Sequence, residues 1–552
     1  MRLSQILKSG ATAVLRRFKS RFPFRPQGQS APDEQKWELT ASEIAAYHRG
    51  LTAESPNADQ VDDRTWSDLE LEKIFTRLNR CVTPLGAQYL YALFRNYQTQ
   101  PANLAANVKA YGTFKSEPQV LSALRVALAK LNRRESADLA DFLLGPPPTV
   151  PTHYRFFYVA SALAIACPFG LFFSAWFLPA FMAFLGVNIF LNYLYSPGLV
   201  RHSPALLTLG VLLACLPKIA QALQDTNLPE LGEIQTSASV ARKIQKRISL
   251  AFLRGQGGDD FTRILIEYLN MLCLFEVIAL CRAIQAVNQK RQALLNLFRV
   301  VARLDALQGI SNALAEYPSV CVPEMKAGRP FSFLEVQHPL VRNPVCNSVE
   351  GSGNSLLLTG TNMAGKTTFI KTLAVNLIFA QTLGVCLAKQ AVLPPARVRT
   401  LIEREDIITS GQSYFYFEAS ELLRMLNDAA QSGREHWFVL DEIFRGTNTL
   451  ERVSAGSAVL NYLASYGLVI ASTHDHELCT LLRNDFDLYH FSEVINGNEA
   501  RFDYRLRKGP CTTRNAIKLM AIVGFPKSVT DLAEKLAAGG HSAVGLPRIR
   551  HL

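Results

Sequence analysis

A glycine-rich loop between an apolar run and a helical pattern limits most strongly what this chain can fold into. The segment LLLTGTNMAGKTTFIKT, residues 356–372, starts with three leucines, passes through GTNMAGKT and continues with apolar residues at helical spacing. This is the G-x-x-x-x-G-K-[ST] pattern in the strand-loop-helix setting that it requires. Glycines let successive backbone N–H groups point at phosphate oxygens, and the helix adds the positive end of its dipole. The segment predicts a nucleoside triphosphate site, with a glycine turn and a solvated lysine as the alternative.

Roles for individual side chains follow from this pattern and from two later strands. Lys366 would reach the β- and γ-phosphates, and the Thr367 hydroxyl would ligate Mg²⁺. The apolar run 436–440 ends in Asp441 and Glu442, so Asp441 can hold Mg²⁺ through water and Glu442 can act as general base on the attacking water. The run 468–472 is followed by His474, which is placed to contact the γ-phosphate. The alternatives are a surface acidic pair and a structural histidine.

The charge of the chain favours a negatively charged partner but does not say which one. The net charge is +12, which favours a polyanion, either nucleic acid or an anionic membrane surface. The ten cysteines are scattered, with no C-x-x-C pair and no zinc-finger spacing. They indicate reduced thiols in a cytoplasmic compartment, and we expect Cys281 and Cys386 to be buried small apolar residues rather than reactive groups.

Residues 156–200 contain no Asp, Glu, Lys, Arg or His. Because about 20 apolar residues cross a bilayer, this run predicts a transmembrane hairpin that turns near Phe169-Gly170 or Pro179. Arg155 and Arg201 flank the run, which would place both ends and the nucleotide domain in the cytoplasm, beside a bacterial-type inner membrane. The alternative is a hydrophobic hairpin in a soluble core. Residues 206–216 make only about half a span and are expected to be a buried helix.

The remaining sequence before the loop is predominantly helical. Residues 1–30 are basic and amphipathic, which fits a helix on an anionic membrane, an arm that touches DNA or a disordered tail. Residues 64–97 predict amphipathic helices around a break at Pro84-Gly86, and helical spacing continues to residue 144. The segments 261–285 and 288–318 predict a second block of long packing helices.

Several segments together resemble the ATPase domain of the MutS DNA mismatch-repair proteins. GTNMAGKTTFIKT, with its Asn362-Met363 pair, is similar to that family's phosphate loop, and LDEIFRGTNTLE is similar to its acidic strand end. SGQSYFYFEASEL resembles its signature segment, and ASTHDHEL resembles its switch histidine. RLDALQGISNAL, FLEVQHPLV and NAIKLMAIVGFP resemble the segments that enter and close the domain. The resemblance is dense over residues 295–536 and thin over 60–145.

The resemblance implies a composite ATP site. Lys366, Glu442 and His474 would be catalytic, with Glu442 as base and His474 as sensor, and Mg²⁺ would lie on Thr367 and Asp441. Ser413 would contact the ATP of a partner subunit, so two ATPase domains would face each other in a homodimer. ATP would contact the residues Gly360, Thr361, Asn362, Met363, Ala364, Gly365, Lys366, Thr367 and Thr368.

The chain also departs from the family pattern. The mismatch-reading domain with its Phe-x-Glu wedge and the connector domain are not recognisable, and the signature segment differs at Gln412 and Tyr414. The uncharged run 156–200 stands where the family carries its DNA-embracing core and clamp. These departures leave the motifs for ATP hydrolysis in place and argue against mismatch recognition.

The expected fold class is α + α/β, a helical region with a transmembrane hairpin followed by an ABC-type P-loop domain. The function expected from this reading is a membrane-attached, MutS-like, DNA-binding ATPase. The alternative is a membrane-bound, ATP-driven switch that acts on a protein or lipid partner without DNA, and one hairpin offers no path for a transporter. The predicted domains are a basic N-terminus and linker (1–60), two helical core parts (61–150 and 203–325), the hairpin (151–202), the ATPase domain (326–540) and a tail (541–552).

Overall fold

The computed structural model describes residues 37–55, 59–98, 100–251, 273–361, 364–402, 414–496, 499–511 and 516–538. The described residues belong to one compact unit in which a helical first part is followed by mixed sheets and further helices. This agrees with the expected α + α/β class. The predicted basic helix in residues 1–30 and the predicted tail 541–552 lie outside the described residues.

The helical part contains fourteen α-helices within the described ranges. The first eight precede the apolar hairpin, and the last six are the two helices of the hairpin and the four helices that follow it. They are α1 Ala41–Ile44, α2 Ala46–Glu54, α3 Asp63–Asp68, α4 Leu71–Leu78, α5 Pro84–Arg95, α6 Pro101–Ser116, α7 Pro118–Leu128, α8 Asp138–Leu144, α9 Tyr154–Gly170, α10 Phe177–Val200, α11 Ser203–Ala222, α12 Glu230–Ala251, α13 Phe275–Gln289 and α14 Arg291–Leu314.

Two predicted helix boundaries are wrong by a few residues. The break expected at Pro84-Gly86 lies before Pro84, because proline suits the first position of a helix and the Thr83 hydroxyl accepts a hydrogen bond from the Gly86 N–H at 3.1 Å. The helical run expected over 288–318 is interrupted at Lys290, whose ψ of 23° lies outside helical geometry, and it ends at Leu314. Residues 261–272 of the other predicted packing helix lie outside the described residues.

Asp305 joins α14 to the start of α5. Its fully buried carboxylate accepts hydrogen bonds from the Val82 and Thr83 N–H groups, both at 2.8 Å, from the Thr83 hydroxyl at 2.6 Å and from Gln308 Nε2 at 2.9 Å. Burial raises the pKa of Asp305, and these four hydrogen bonds oppose that rise. Gly86 has no side chain that would collide with this carboxylate. The contact fixes two helices that are far apart in the sequence.

The uncharged run forms α9 and α10, which pair as a hairpin with its turn at residues 171–176, beside the predicted position. By length and composition two described helices pass as candidate membrane spans: α10, with 6% of its apolar window buried, and α11, with 50% buried. The same test is passed by core helices of soluble proteins, so it is weak evidence for a membrane. The segment 206–216 is part of a longer helix than expected, and most of its leucines are buried as predicted, among them Leu206, Leu209 and Leu212, whereas Leu207 is exposed.

The second part of the chain builds the sheets. The main sheet has strand order β12-β9-β4-β8-β7-β6, in which every neighbouring pair is parallel except β12 and β9. A second sheet has the order β1-β5-β2-β3, and β10 pairs with β11. The strands are β1 Glu324–Met325, β2 Phe331–Val336, β3 Asn347–Gly351, β4 Ser355–Thr359, β5 Gln390–Leu393, β6 Arg397–Leu401, β7 His436–Asp441, β8 Gly467–Ser472, β9 Phe486–His490, β10 Glu493–Asn496, β11 Glu499–Phe502 and β12 Arg507–Lys508.

The helices of this part connect parallel strands or follow the sheets. They are α15 Lys366–Thr382, α16 Tyr414–Ser432, α17 Thr449–Tyr466, α18 His476–Leu482, α19 Ala516–Val523 and α20 Lys527–Ala538. The predicted strands at 356–358, 436–440 and 468–472 are therefore confirmed as β4, β7 and β8. Their side chains are buried on both faces, as a parallel sheet covered by helices requires.

The cysteines have the predicted character. All ten are free thiols, and Cys281 and Cys386 have no exposed surface. Burial raises the pKa of Cys281 to about 12, so this thiol stays protonated and unreactive at neutral pH.

The contact made by Asp305 gives a prediction about stability. Asp305→Ala would leave the buried N–H groups of Val82 and Thr83 without an acceptor, so the free energy of unfolding should fall by about 3 kcal/mol. Urea unfolding measures this change. Asp225→Ala, which removes an exposed carboxylate, should leave the unfolding midpoint unchanged. Equal midpoints for the two variants would contradict the structural role of Asp305.

Candidate functional site

The glycine-rich loop leaves the end of β4 and enters α15. Gly360 has a φ of +138° and lies so close to the Phe491 carbonyl oxygen that a Cβ would overlap it. Gly365 has a φ of +101° and precedes the first residue of α15. Both positions therefore require glycine. The predicted contacts Asn362 and Met363 lie outside the described residues.

Lys366 is the first residue of α15, and its side chain is almost completely buried. Its ammonium donates to the carbonyl oxygens of Gly360 at 2.8 Å and Thr361 at 3.2 Å. Burial lowers the pKa of Lys366, while the nearby carboxylates of Glu442 and Asp441 oppose this change. The predicted lysine thus lies inside the curve of its own loop, where it can meet the phosphates that such a loop holds.

Thr367 and Asp441 come together as predicted for a magnesium site. The Thr367 hydroxyl donates to Asp441 Oδ2 at 2.7 Å, and the Ser472 hydroxyl donates to Oδ1. Asp441 ends β7 and is paired with Ser472 at the end of β8, so the parallel register fixes this arrangement. Ser472 has no role in the sequence prediction, because its contact depends on strand order that the local pattern does not reveal.

Glu442 lies where Lys366, His474 and Arg445 converge. Its Oε1 is 2.7 Å from His474 Nε2 and 3.7 Å from Lys366 Nζ, and its Oε2 accepts a hydrogen bond from Arg445 Nε at 2.6 Å. Burial would raise the pKa of Glu442, but hydrogen bonds from His474 and Arg445 lower it to about 2. The carboxylate is therefore ionised at neutral pH. Arg445 lies within the segment LDEIFRGTNTLE, but the sequence pattern predicts no role for it.

The backbone around Glu442 is unusual for a residue with a side chain. Glu442 has a φ of 50° and Phe444 a φ of 62°, both in the left-handed region that costs about 1 kcal/mol or more. The Glu442 N–H donates to the Ser472 carbonyl at 3.1 Å, and the Phe444 N–H donates to the Glu418 carboxylate at 2.7 Å. These bonds hold the strand end in a conformation that turns the Glu442 side chain toward the loop.

His474 is held at the site by the residues on either side of it. The Thr473 N–H donates to the Leu358 carbonyl at 2.9 Å, which extends the pairing of β8 with β4. Asp475 forms an ion pair with Arg452 of α17, with both of its oxygens 2.7 Å from the guanidinium. His474 Nε2 lies 3.2 Å from Lys366 Nζ. The predicted histidine therefore reaches the loop, Lys366 and Glu442.

Two further predicted site residues have different outcomes. Thr368 lies in the first turn of α15 and is exposed. It directly follows Thr367, which contacts Asp441. Ser413 lies outside the described residues, immediately before α16. Its contact with a partner subunit stays a prediction.

The groups at the site fit a magnesium-nucleotide complex. Thr367 and Asp441 offer a hydroxyl and a carboxylate oxygen, and Mg²⁺ is commonly held by one or two such ligands together with phosphate oxygens and water. Within the described ranges, no group of three or more His, Cys, Asp or Glu side chains is arranged to hold a metal by itself. The described residues thus suit a metal that arrives with a phosphate ligand.

Comparison with known proteins identifies the domain around this site. Residues 356–539 match the family model for MutS domain V, and this range contains every predicted site residue. Proteins named DNA mismatch repair protein MutS are similar: 29% identity over 277 residues in Parasynechococcus marenigrum, 30% over 260 in Natronomonas pharaonis and 31% over 282 in a Synechococcus strain. These alignments cover 44–48% of this chain and only 29–31% of each relative.

The close approach at Gly360 gives a prediction with a matched control. Gly353→Ala places a side chain at a positive φ with the nearest atom 4.0 Å away, so it should lower the free energy of unfolding by only about 1 kcal/mol. Gly360→Ala adds an overlap with the Phe491 carbonyl and should lower it clearly more. Urea unfolding of the two variants measures the difference, and equal losses would contradict the close approach.

Proposed function

We propose that this chain, whose residues 356–539 match MutS domain V, is a MutS-like, membrane-attached ATPase that binds DNA and responds to ATP. The observation that carries the proposal is the convergence of Lys366, Thr367, Asp441, Glu442 and His474 at the ends of adjacent parallel strands. These are the side chains expected for binding and hydrolysing a magnesium-nucleotide complex.

We assign the site residues as follows. The loop from Gly360 to Thr368 binds the ATP phosphates, and Lys366 offsets their charge. Thr367 and Asp441 hold Mg²⁺, which would supply charge neutralisation at the phosphates when bound. His474 contacts the γ-phosphate and reports its loss.

Glu442 orients the attacking water and accepts its proton. Each of its oxygens already has a cationic or hydrogen-bonding neighbour, and a carboxylate whose pKa is about 2 is a weak proton acceptor. One of its contacts, either with Arg445 or with His474, therefore has to open before Glu442 can act as a base. This requirement couples hydrolysis to a movement at the end of β7.

The working form is a homodimer in which Ser413 of one subunit completes the ATP site of the other. Two exposed apolar side chains support a protein contact on this domain, since Tyr416 of α16 is 63% and Leu450 of α17 is 79% exposed. The net charge of +12 supports contacts with the DNA backbone.

Residues 156–200 attach the protein to the cytoplasmic face of a bacterial-type inner membrane. Most side chains of α10 are exposed although the helix is strongly apolar, which supports contact with lipid. The same surface supports a second candidate function, a membrane-bound ATP-driven switch that acts on a protein or lipid partner without DNA.

Glu442→Gln tests the catalytic assignment. The variant should bind ATP normally but hydrolyse it at least about a hundredfold more slowly, because the amide cannot accept a proton. Nucleotide binding and phosphate release measured on the same preparation give both values. Glu477→Gln, which changes an exposed carboxylate on α18, should retain full turnover. Turnover by Glu442→Gln near that of the unmodified chain would remove Glu442 as the base.

DNA binding distinguishes the two candidate functions. The purified protein should bind duplex, mismatched or branched DNA with an affinity that falls steeply as salt rises, and ATP should change that affinity. Binding is measured by fluorescence anisotropy across a salt series, with an equally basic unrelated protein as control. Binding no tighter than that of the control would favour the switch without DNA.

A further inference from the structure

The turn between α9 and α10 has the composition of a lipid-facing surface. Residues 171–176 are Leu-Phe-Phe-Ser-Ala-Trp, and Phe172, Phe173 and Trp176 are 87, 90 and 83% exposed. A hairpin that crossed a bilayer completely would hold this turn in water on the far side. Exposing three large aromatic side chains to water is unfavourable by about 25 cal/mol for each Å² of apolar surface.

The backbone of this turn is already hydrogen-bonded internally. N–H groups donate to carbonyl oxygens within the turn from Leu171 to Pro168 at 3.3 Å, from Phe173 to Gly170 at 2.9 Å and from Ser174 to Gly170 at 3.1 Å. The N–H groups of Phe172, Trp176, Phe177 and Leu178 also have partners in the turn. Irregular backbone is excluded from hydrocarbon when its polar groups are unpaired. Here seven of the eight N–H groups of residues 171–178 have a partner, which lowers the cost of placing the turn in hydrocarbon.

Charged residues beside the base of the hairpin limit how much of it can enter lipid. The Ser161 hydroxyl donates to the Cys273 carbonyl at 2.6 Å, and the Tyr154 hydroxyl donates to Gln285 Oε1 at 2.7 Å, so α13 runs along the base of α9. Arg282 lies on α13 between these two contacts and is exposed. An exposed arginine at this level places the base of α9 outside the hydrocarbon.

The part of the hairpin beyond this level is short. Gly170, at the end of α9, lies nine residues beyond Ser161, which corresponds to about 14 Å of helix. On α10, Asn188 Nδ2 lies 3.5 Å from the Ala160 carbonyl, and the eleven residues back to Phe177 span about 16 Å. Both distances are about half of a hydrocarbon core of about 30 Å.

We propose that residues 161–188 insert into one leaflet of an anionic phospholipid bilayer and turn back near its midplane. This inference rests on the membrane attachment proposed above and replaces two complete spans with one re-entrant hairpin. The charge around the hairpin fits anionic lipid headgroups, since Arg155 and Arg201 flank it and no acidic residue occurs between Asp141 and Asp225. Tyr193, 77% exposed near the base, is suited to the headgroup region.

Depth-dependent quenching in vesicles tests the proposal on the full chain. Ser174→Cys and Tyr193→Cys are made separately in a Cys346→Ser background, labelled with an environment-sensitive fluorophore and mixed with phosphatidylglycerol-phosphatidylethanolamine vesicles. Quenchers near the ends of the acyl chains should act most strongly on position 174, and quenchers near the headgroups on position 193. The label at 174 should also resist a membrane-impermeant reductant that is trapped inside the vesicles.

Three other results of the vesicle experiment would contradict the proposal in different ways. If position 174 reacts with the trapped reductant, the hairpin crosses the bilayer, and the re-entrant insertion is overturned while the attachment stands. If the label at 174 remains in water on vesicles that carry the protein, the hairpin does not insert, and the proposal again fails. If the protein does not float with the vesicles, the proposed membrane attachment itself is wrong.

A pair of variants tests the insertion without a label. Phe172→Asp combined with Phe173→Asp should lower the affinity for vesicles, measured by flotation, about a hundredfold, because each carboxylate would have to enter hydrocarbon. Val126→Asp, at an exposed apolar position on α7, should float like the unmodified chain. Normal flotation of the double variant would contradict insertion of the turn.

Discussion

The parallel register of β4, β8 and β7 is the constraint on which the candidate site depends. Leu358 pairs with Ser472, and Ser472 pairs with Asp441, so three strands end at one edge of the sheet. The buried side chains of these strands leave little freedom for a shift, since a slip of one residue would move each side chain to the opposite face of the sheet, where it would no longer fit its neighbours. The loop, the acidic pair and the histidine segment meet because each directly follows one of these strands.

The helical part is joined to the same sheet through its edge strand, β6. Asp68 at the end of α3 is buried and accepts hydrogen bonds from the Thr400 hydroxyl at 2.9 Å and the Ile402 N–H at 3.0 Å. Arg399 forms an ion pair with Asp62 at 2.9 Å. These bonds hold α3 against the strand that precedes the segment containing Ser413. The hairpin lies in the same helical part, so the proposed ATP site and the proposed membrane-inserted turn belong to one connected structure.

Local sequence patterns predicted which residues belong to the site, but they did not predict the contacts that hold these residues in place. Lys366, Asp441 and His474 were found because each lies in a short motif beside a strand. Arg445 reaches Glu442 because the backbone between them turns through two left-handed residues, and the sequence of this loop does not indicate such a turn. Asp305 contacts Thr83 across 222 residues, and such pairing follows from helix packing alone. Composition predicted the hairpin, but the position of the exposed Arg282 beside its base depends on the packing of a helix that is distant in the sequence.

Subunit complementation gives the most direct test of an ATP site shared between two subunits. Lys366→Ala removes the loop cation and Ser413→Ala removes the partner's contact, so each variant alone should be inactive. A heterodimer purified through two different tags has one site in which both groups are intact, because a two-fold interface pairs each loop with the opposite signature segment. The heterodimer should therefore recover ATP hydrolysis. A heterodimer as inactive as either parent would contradict the shared site.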